Sequence, residues 1–144
     1  MTPLPKDLSS GWKTYEVCVR TGAKTAWPVM AALEASGSAS TQALGKMQLV
    51  EVWGWPEAKR RMKDAQGKHL IVKKDDVIWL LKCKPHCWRL YFYVKEYAEE
   101  NRIVYVHAVC KKQGPEDPQD AIKARRISDA IKPGGSGVTP VEFP

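Results

Sequence analysis

Three apolar, aromatic-rich runs follow one another at residues 77–83, 88–95 and 103–110, and their spacing constrains the fold more than any other feature. Each has the length and β-branched or aromatic content of a strand. The polar link at 96–102 is short, so the last two runs pair as an antiparallel hairpin. The middle run is the informative one. Trp88, Leu90, Phe92 and Val94 alternate with Arg89, Tyr91, Tyr93 and Lys95, so the two sets fall on opposite faces. The first set suits a core packed on helices. The second combines cations with aromatic rings, which suits phosphate and bases.

Upstream, residues 12–20 read as a first strand that ends at Thr21-Gly22. A helix is predicted from Thr25, with Pro28 in its first turn, Met30 and Leu33 on its apolar face and Gly37 as its stop. Ser38 or Ser40 then caps a second helix carrying Leu44, Met47, Val50 and Trp53 at spacing three. After Gly54-Trp55-Pro56 comes a short basic helix over 57–66. It reads either as a solvated lysine-rich face or as an electrostatic footprint for nucleic acid, with Arg60 and Arg61 as RNA contacts. Downstream, Asp117 caps a helix with Pro118 at its first position and Asp120 in its acidic first turn, running to about Ile131 with Lys123, Arg125 and Arg126 along it.

A chain of 144 residues is one domain's worth and can bury a core without disulfide staples. The division is an N-terminal arm at 1–11, a single domain at 12–131 and a mobile tail at 132–144. Twenty-three Lys and Arg against 16 Asp and Glu give a net charge of +7, which favours a polyanionic partner. No apolar run reaches the roughly 18 residues of a membrane span, and the first residues lack a secretory stretch, so the expected compartment is the cytoplasm. There Cys18, Cys83, Cys87 and Cys110 are expected to be reduced thiols. Cys83, His86, Cys87, His107 and Cys110 match no common zinc spacing, so no metal and no cofactor is expected.

From Lys82 onward the motifs become specific. Lys82-Cys83-Lys84-Pro85 and Trp88-Arg89-Leu90-Tyr91-Phe92 are followed by Arg102-Ile103-Val104-Tyr105-Val106-His107-Ala108-Val109-Cys110-Lys111-Lys112 and the Asp117-Pro118 helix start. This series resembles the RelE/HigB toxin superfamily, in its phage-derived HigB-like branch, over residues 12–131 in order and most sharply over 82–126. The resemblance implies an α+β class with a RelE-like compact fold. In it a small antiparallel sheet of about four strands packs on an N-terminal helix pair, with a C-terminal helix. It also implies the toxin of a type II toxin–antitoxin system, an endoribonuclease (mRNA interferase) that cuts messenger RNA at the ribosome, inhibits translation and arrests growth. Its partners would be messenger RNA, the ribosome and a cognate antitoxin of helix-turn-helix type. No membrane is implied. The sequence departs from the family where Gly114-Pro115-Glu116-Asp117 brings acidic residues and where Val109 replaces the commoner Phe.

Metal-free RNA cleavage needs a base for the 2′-hydroxyl, an acid for the leaving 5′-oxygen and cations over the phosphoryl charge. By position the resemblance assigns catalysis to Arg89 as phosphate clamp, His107 as acid or base, and the Lys111 and Lys112 pair. Tyr91, Tyr93, Arg102, Lys123, Arg125 and Arg126 join Arg60 and Arg61 as RNA-binding candidates. Each also has a structural role open to it. Arg89 can pair across the sheet, His107 can pack in the core beside Ile103, Tyr105 and Val109, and the tyrosines can be half-buried sheet packing. The alternative function is a non-catalytic RelE-fold module that binds RNA, the ribosome or a regulatory protein.

Overall fold

The structure is a computed structural model. It describes residues 11–17, 19–21, 24–26, 29–30, 33, 40–62, 71–83, 88–96, 100–110, 117–131, 137–141 and 143. The strands are β1 (Trp12–Val17), β2 (Val19–Thr21), β3 (Lys24–Ala26), β4 (Ile71–Lys73), β5 (Trp79–Cys83), β6 (Trp88–Glu96), β7 (Asn101–Cys110) and β8 (Val138–Pro140). The helices are α1 (Ser40–Trp53), α2 (Trp55–Arg61) and α3 (Pro118–Ala130). Six strands form one sheet in the order β4-β5-β6-β7-β1-β8, while β2 and β3 make a separate hairpin.

This corrects the expected small antiparallel sheet of about four strands on an N-terminal helix pair. The three runs at 77–110 do form an antiparallel series, and β4 extends it. On the other side of β7, however, β1 enters in parallel, which makes the sheet mixed. β8, within the segment read as a tail, then pairs antiparallel with β1. The expected helix start at Thr25 is instead strand, with helical residues at Val29, Met30 and Leu33. A parallel neighbour needs a long crossover, and nothing local in the sequence announces which strand will receive it.

Helices cover both faces. On one, Ala43, Met47 and Val50 of α1 and Trp55 and Ala58 of α2 meet Leu81, Leu90, Phe92, Ile103 and Tyr105. The spacing of the α1 residues, i, i+4 and i+7, gives one buried helical stripe. Trp55 is the keystone of this layer, edge-on to Trp79 at 4.8 Å and to Phe92 at 5.4 Å. Gly54, with φ 82°, makes the corner between the two helices, and a Cβ there would meet the Trp12 ring at 2.9 Å. On the other face Ala121, Ala124 and Ile127 of α3 lie against Tyr15, Ile78, Leu80, Tyr91, Val104 and Val106.

β1 is tied in by carboxylates as well as by its ladder. Glu51 of α1 accepts the Thr14 amide at 2.7 Å, and the buried Glu16 accepts the Met30 amide at 3.0 Å. Such bonds satisfy groups that would otherwise be costly to bury. Among the described residues no helix is long and apolar enough to cross a membrane.

Candidate functional site

A bulge decides which side chains meet. Tyr91 of β6 faces His107 of β7, yet the next pair is Phe92 with Tyr105, so Val106 is an extra residue without a partner. Regular alternation would place His107 with Ile103 and Tyr105. The extra residue moves it to the opposite face, beside Tyr91 and beneath the start of α3. Arg89 pairs with Val109 on β7 and with Lys82 on β5. Arg89 and His107 are thus diagonal neighbours on adjoining strands, roughly 7–8 Å apart in sheet geometry.

Asp120 completes the group. Its Oδ1 lies 2.9 Å from His107 Nε2, with the imidazole 14% and the carboxyl 21% exposed. α3 brings it there because Asp117 caps the helix, accepting the Gln119 amide at 2.9 Å, with Pro in the first turn. A carboxylate on one ring nitrogen holds an imidazole in a single orientation and tautomer, which general acid–base chemistry requires. The Tyr91 ring is tilted 31° to His107 at 5.7 Å. Tyr91 is fully buried, so its ring has no face open to a base, contrary to the expected stacking role, and Tyr93 is half-buried against the same cluster. Arg89 is 8% exposed.

The remaining candidates are dispersed. Lys111 and Lys112 lie outside the described residues. Arg102 donates to Glu100 at 3.1 Å and lies 4.2 Å over the Tyr15 ring, whose hydroxyl donates to the same Glu100 oxygen at 2.6 Å. Arg125 is shared among Asp76 at 2.8 Å, Asp129 at 3.1 Å and Asp75 at 3.4 Å, fastening α3 to the β4–β5 turn. A shallow groove of about 440 Å³ lies beside this staple, lined by Lys74, Pro118, Ile122 and Arg126 among others. Lys123 and Arg126 are exposed on α3. Arg60 and Arg61 both donate to Glu57, at 2.5 and 2.6 Å, on the opposite face of the sheet. The hydrogen bonds from these two arginines hold the Glu57 carboxyl down at about 2.

The cysteines divide. Cys83 is a free thiol, and burial pushes it up to about 12 against the pull of Lys46 and Arg89. Cys110 is disulfide-bonded, which corrects the expectation of reduced thiols throughout; the other half of its bond lies outside the described residues. No group of three or more His, Cys, Asp or Glu among the described residues could hold a metal ion.

Sequence reasoning missed Asp120 as a partner of His107, because acidic residues in a first helical turn are sufficiently explained by the helix dipole. It also missed Lys82 beside Arg89, which only the strand register reveals. No protein-family model matches the chain, no curated protein is significantly similar to it, and no solved structure matches it.

Proposed function

We propose that this chain is an RNA-cleaving toxin of a type II toxin–antitoxin pair, cutting messages in the cytoplasm at the ribosome until a helix-turn-helix antitoxin silences it. The observation that carries the reading is one constellation: His107 held by Asp120, with Arg89 diagonal to it on the next strand. A held imidazole can exchange a proton with the 2′-hydroxyl or the leaving 5′-oxygen. A guanidinium beside it offsets the charge that builds on the phosphoryl oxygens. The motifs of residues 82–126, which resemble those of RelE/HigB toxins, point to the same chemistry.

A specific observation favours a second reading. Arg89 is buried and Tyr91 fully so, which limits their access to a phosphate or a base and favours a module that binds RNA or protein through other residues without cutting. Induced expression in a bacterium, with growth followed and messenger 5′ ends mapped, separates the two. The comparison is wild type against Arg89→Ala, Arg89→Lys and His107→Gln, each checked for folding. Growth arrest with new cuts, lost in the folded variants, supports the nuclease. Normal growth and intact messages from well-folded wild type would leave the binding module.

A further inference from the structure

We infer that the cations around Trp79, on the face of the sheet opposite Arg89 and His107, form a second RNA surface that grips the phosphate backbone of a single strand. The inference rests on the RNA reading above, and its test measures binding without cutting, so the two fail separately.

Lys59 of α2 holds its Nζ 5.4 Å from the Trp55 ring and 5.7 Å from the Trp79 ring. Lys73, paired with Trp79 across β4 and β5, holds its Nζ 5.9 Å from that same indole. Arg61 lies 5.0 Å over Trp53. Each ring draws a cation to its electron-rich face and fixes a side chain that would otherwise sweep through solvent. Two ammonium groups therefore share one indole and repel each other.

Neither Lys59 nor Lys73 has a carboxylate within ion-pair distance among the described residues. The single carboxylate of α2, Glu57, is taken by Arg60 and Arg61. Arg125 on the other face differs, being surrounded by three aspartates. Among the described residues the patch thus sets Lys59, Arg60, Arg61 and Lys73, all exposed, against one carboxylate.

The indoles of Trp53 and Trp79 are half-exposed between the cations. Alternating cations and flat aromatic surface track a single nucleic-acid strand, whereas an acidic peptide needs the charges alone.

The test uses a fluorescent single-stranded oligoribonucleotide with 2′-O-methyl riboses, which cannot be cut by 2′-hydroxyl attack. Binding is followed by anisotropy across a salt series for wild type and for Lys59→Ala combined with Lys73→Ala. A charge-matched control, Gln42→Glu with Gln48→Glu, alters the exposed side of α1 instead. The expected result is a plot of log affinity against log salt that is shallower by about 1.4 in the lysine variant, about 0.7 for each lost phosphate contact, and unchanged in the control. Equal changes in the two variants would reduce the effect to net charge and overturn the proposal. So would wild type that does not bind at low salt. Poly-L-glutamate as a second titrant closes the remaining route: lysine variants that lose the polypeptide but keep the RNA would assign the patch to an acidic protein.

Discussion

Asp75 turns the chain between β4 and β5, and replacing it separates hydrogen bonding from charge as the agent of the turn. Its Oδ1 accepts both the Val77 amide at 2.7 Å and the Ile78 amide at 2.6 Å, while Oδ2 lies 3.4 Å from Arg125. Burial works to raise this carboxyl, but the two amides and Arg125 outweigh it and hold the group below the ordinary aspartate range. Asp75→Ala takes the acceptor from two part-buried amides. Bonds to a charged acceptor contribute about 1.5–3 kcal/mol each, and water reaching the exposed turn recovers part of that, so the expected loss is about 2–3 kcal/mol. Asp75→Asn keeps a carbonyl oxygen at the Oδ1 position and therefore both bonds, in neutral form, for a loss of about 1 kcal/mol.

Urea unfolding at pH 7, read as a shifted midpoint at constant slope, measures both variants. Acid supplies a second reading. Because folding lowers the carboxyl's pKa, its contribution is complete above the unfolded value of about 3.9 and drains away as pH falls through the folded one. The gap between wild type and Asp75→Asn should therefore close below about pH 4. Equal losses from Asn and Ala would refute the hydrogen-bond account in favour of charge. A loss under about 0.5 kcal/mol from Ala would mean that Asp75 does not build the turn.

Trp55→Leu keeps an apolar side chain but forfeits the edge contacts to Trp79 and Phe92, so a loss of about 2–3 kcal/mol in urea unfolding is expected; under about 1 kcal/mol would remove Trp55 from its central place. Cys83 should resist iodoacetamide at pH 8 in the folded protein and react once urea is added, and rapid labelling without urea would contradict its burial. Since folding raises that thiol to about 12, the stability it contributes is full below its unfolded value and is lost as pH rises toward the folded one. Asp117→Ala removes the cap on α3 and should cost about 1 kcal/mol, measured by denaturation, with no change if the Gln119 amide finds water as readily.

The strands at 77–110 were legible because alternation over consecutive residues is a local signal, and the cap at Asp117 because it occupies one fixed position. β1 shows the limit. Its β-branched and aromatic residues announce a strand, but its place in parallel beside β7 depends on a partner some ninety residues away in the chain. β4 and β8 show another. Three residues each, they owe their pairing to the edges that β5 and β1 offer, and carry too little pattern of their own. The covering of the second face was hidden for a chemical reason. Tyr91 and Tyr93 read as a polar surface beside Arg89 and Lys95, yet a tyrosine is mostly apolar body, and α3 supplies an apolar stripe of Ala121, Ala124 and Ile127 to bury it. The basic residues of that helix drew the reading outward, while its small ones did the packing.

The same logic governs the candidate site. Arg89 and His107 were legible as residues, since their types suit phosphate and proton transfer, but not as neighbours. With strict alternation His107 would share the face of Ile103 and Tyr105 and stand in the core beneath α1 and α2. One unpaired residue, Val106, reverses that parity for everything after it in β7. A strand read by alternation is sensitive to such a single insertion, because a shift of one residue transfers every later side chain to the other face. The bulge is therefore what joins His107 to Asp120 and brings it to the face that Arg89 occupies. The tryptophans and lysines of α2, β4 and β5 lie on the opposite face, so that two chemically distinct surfaces share one sheet.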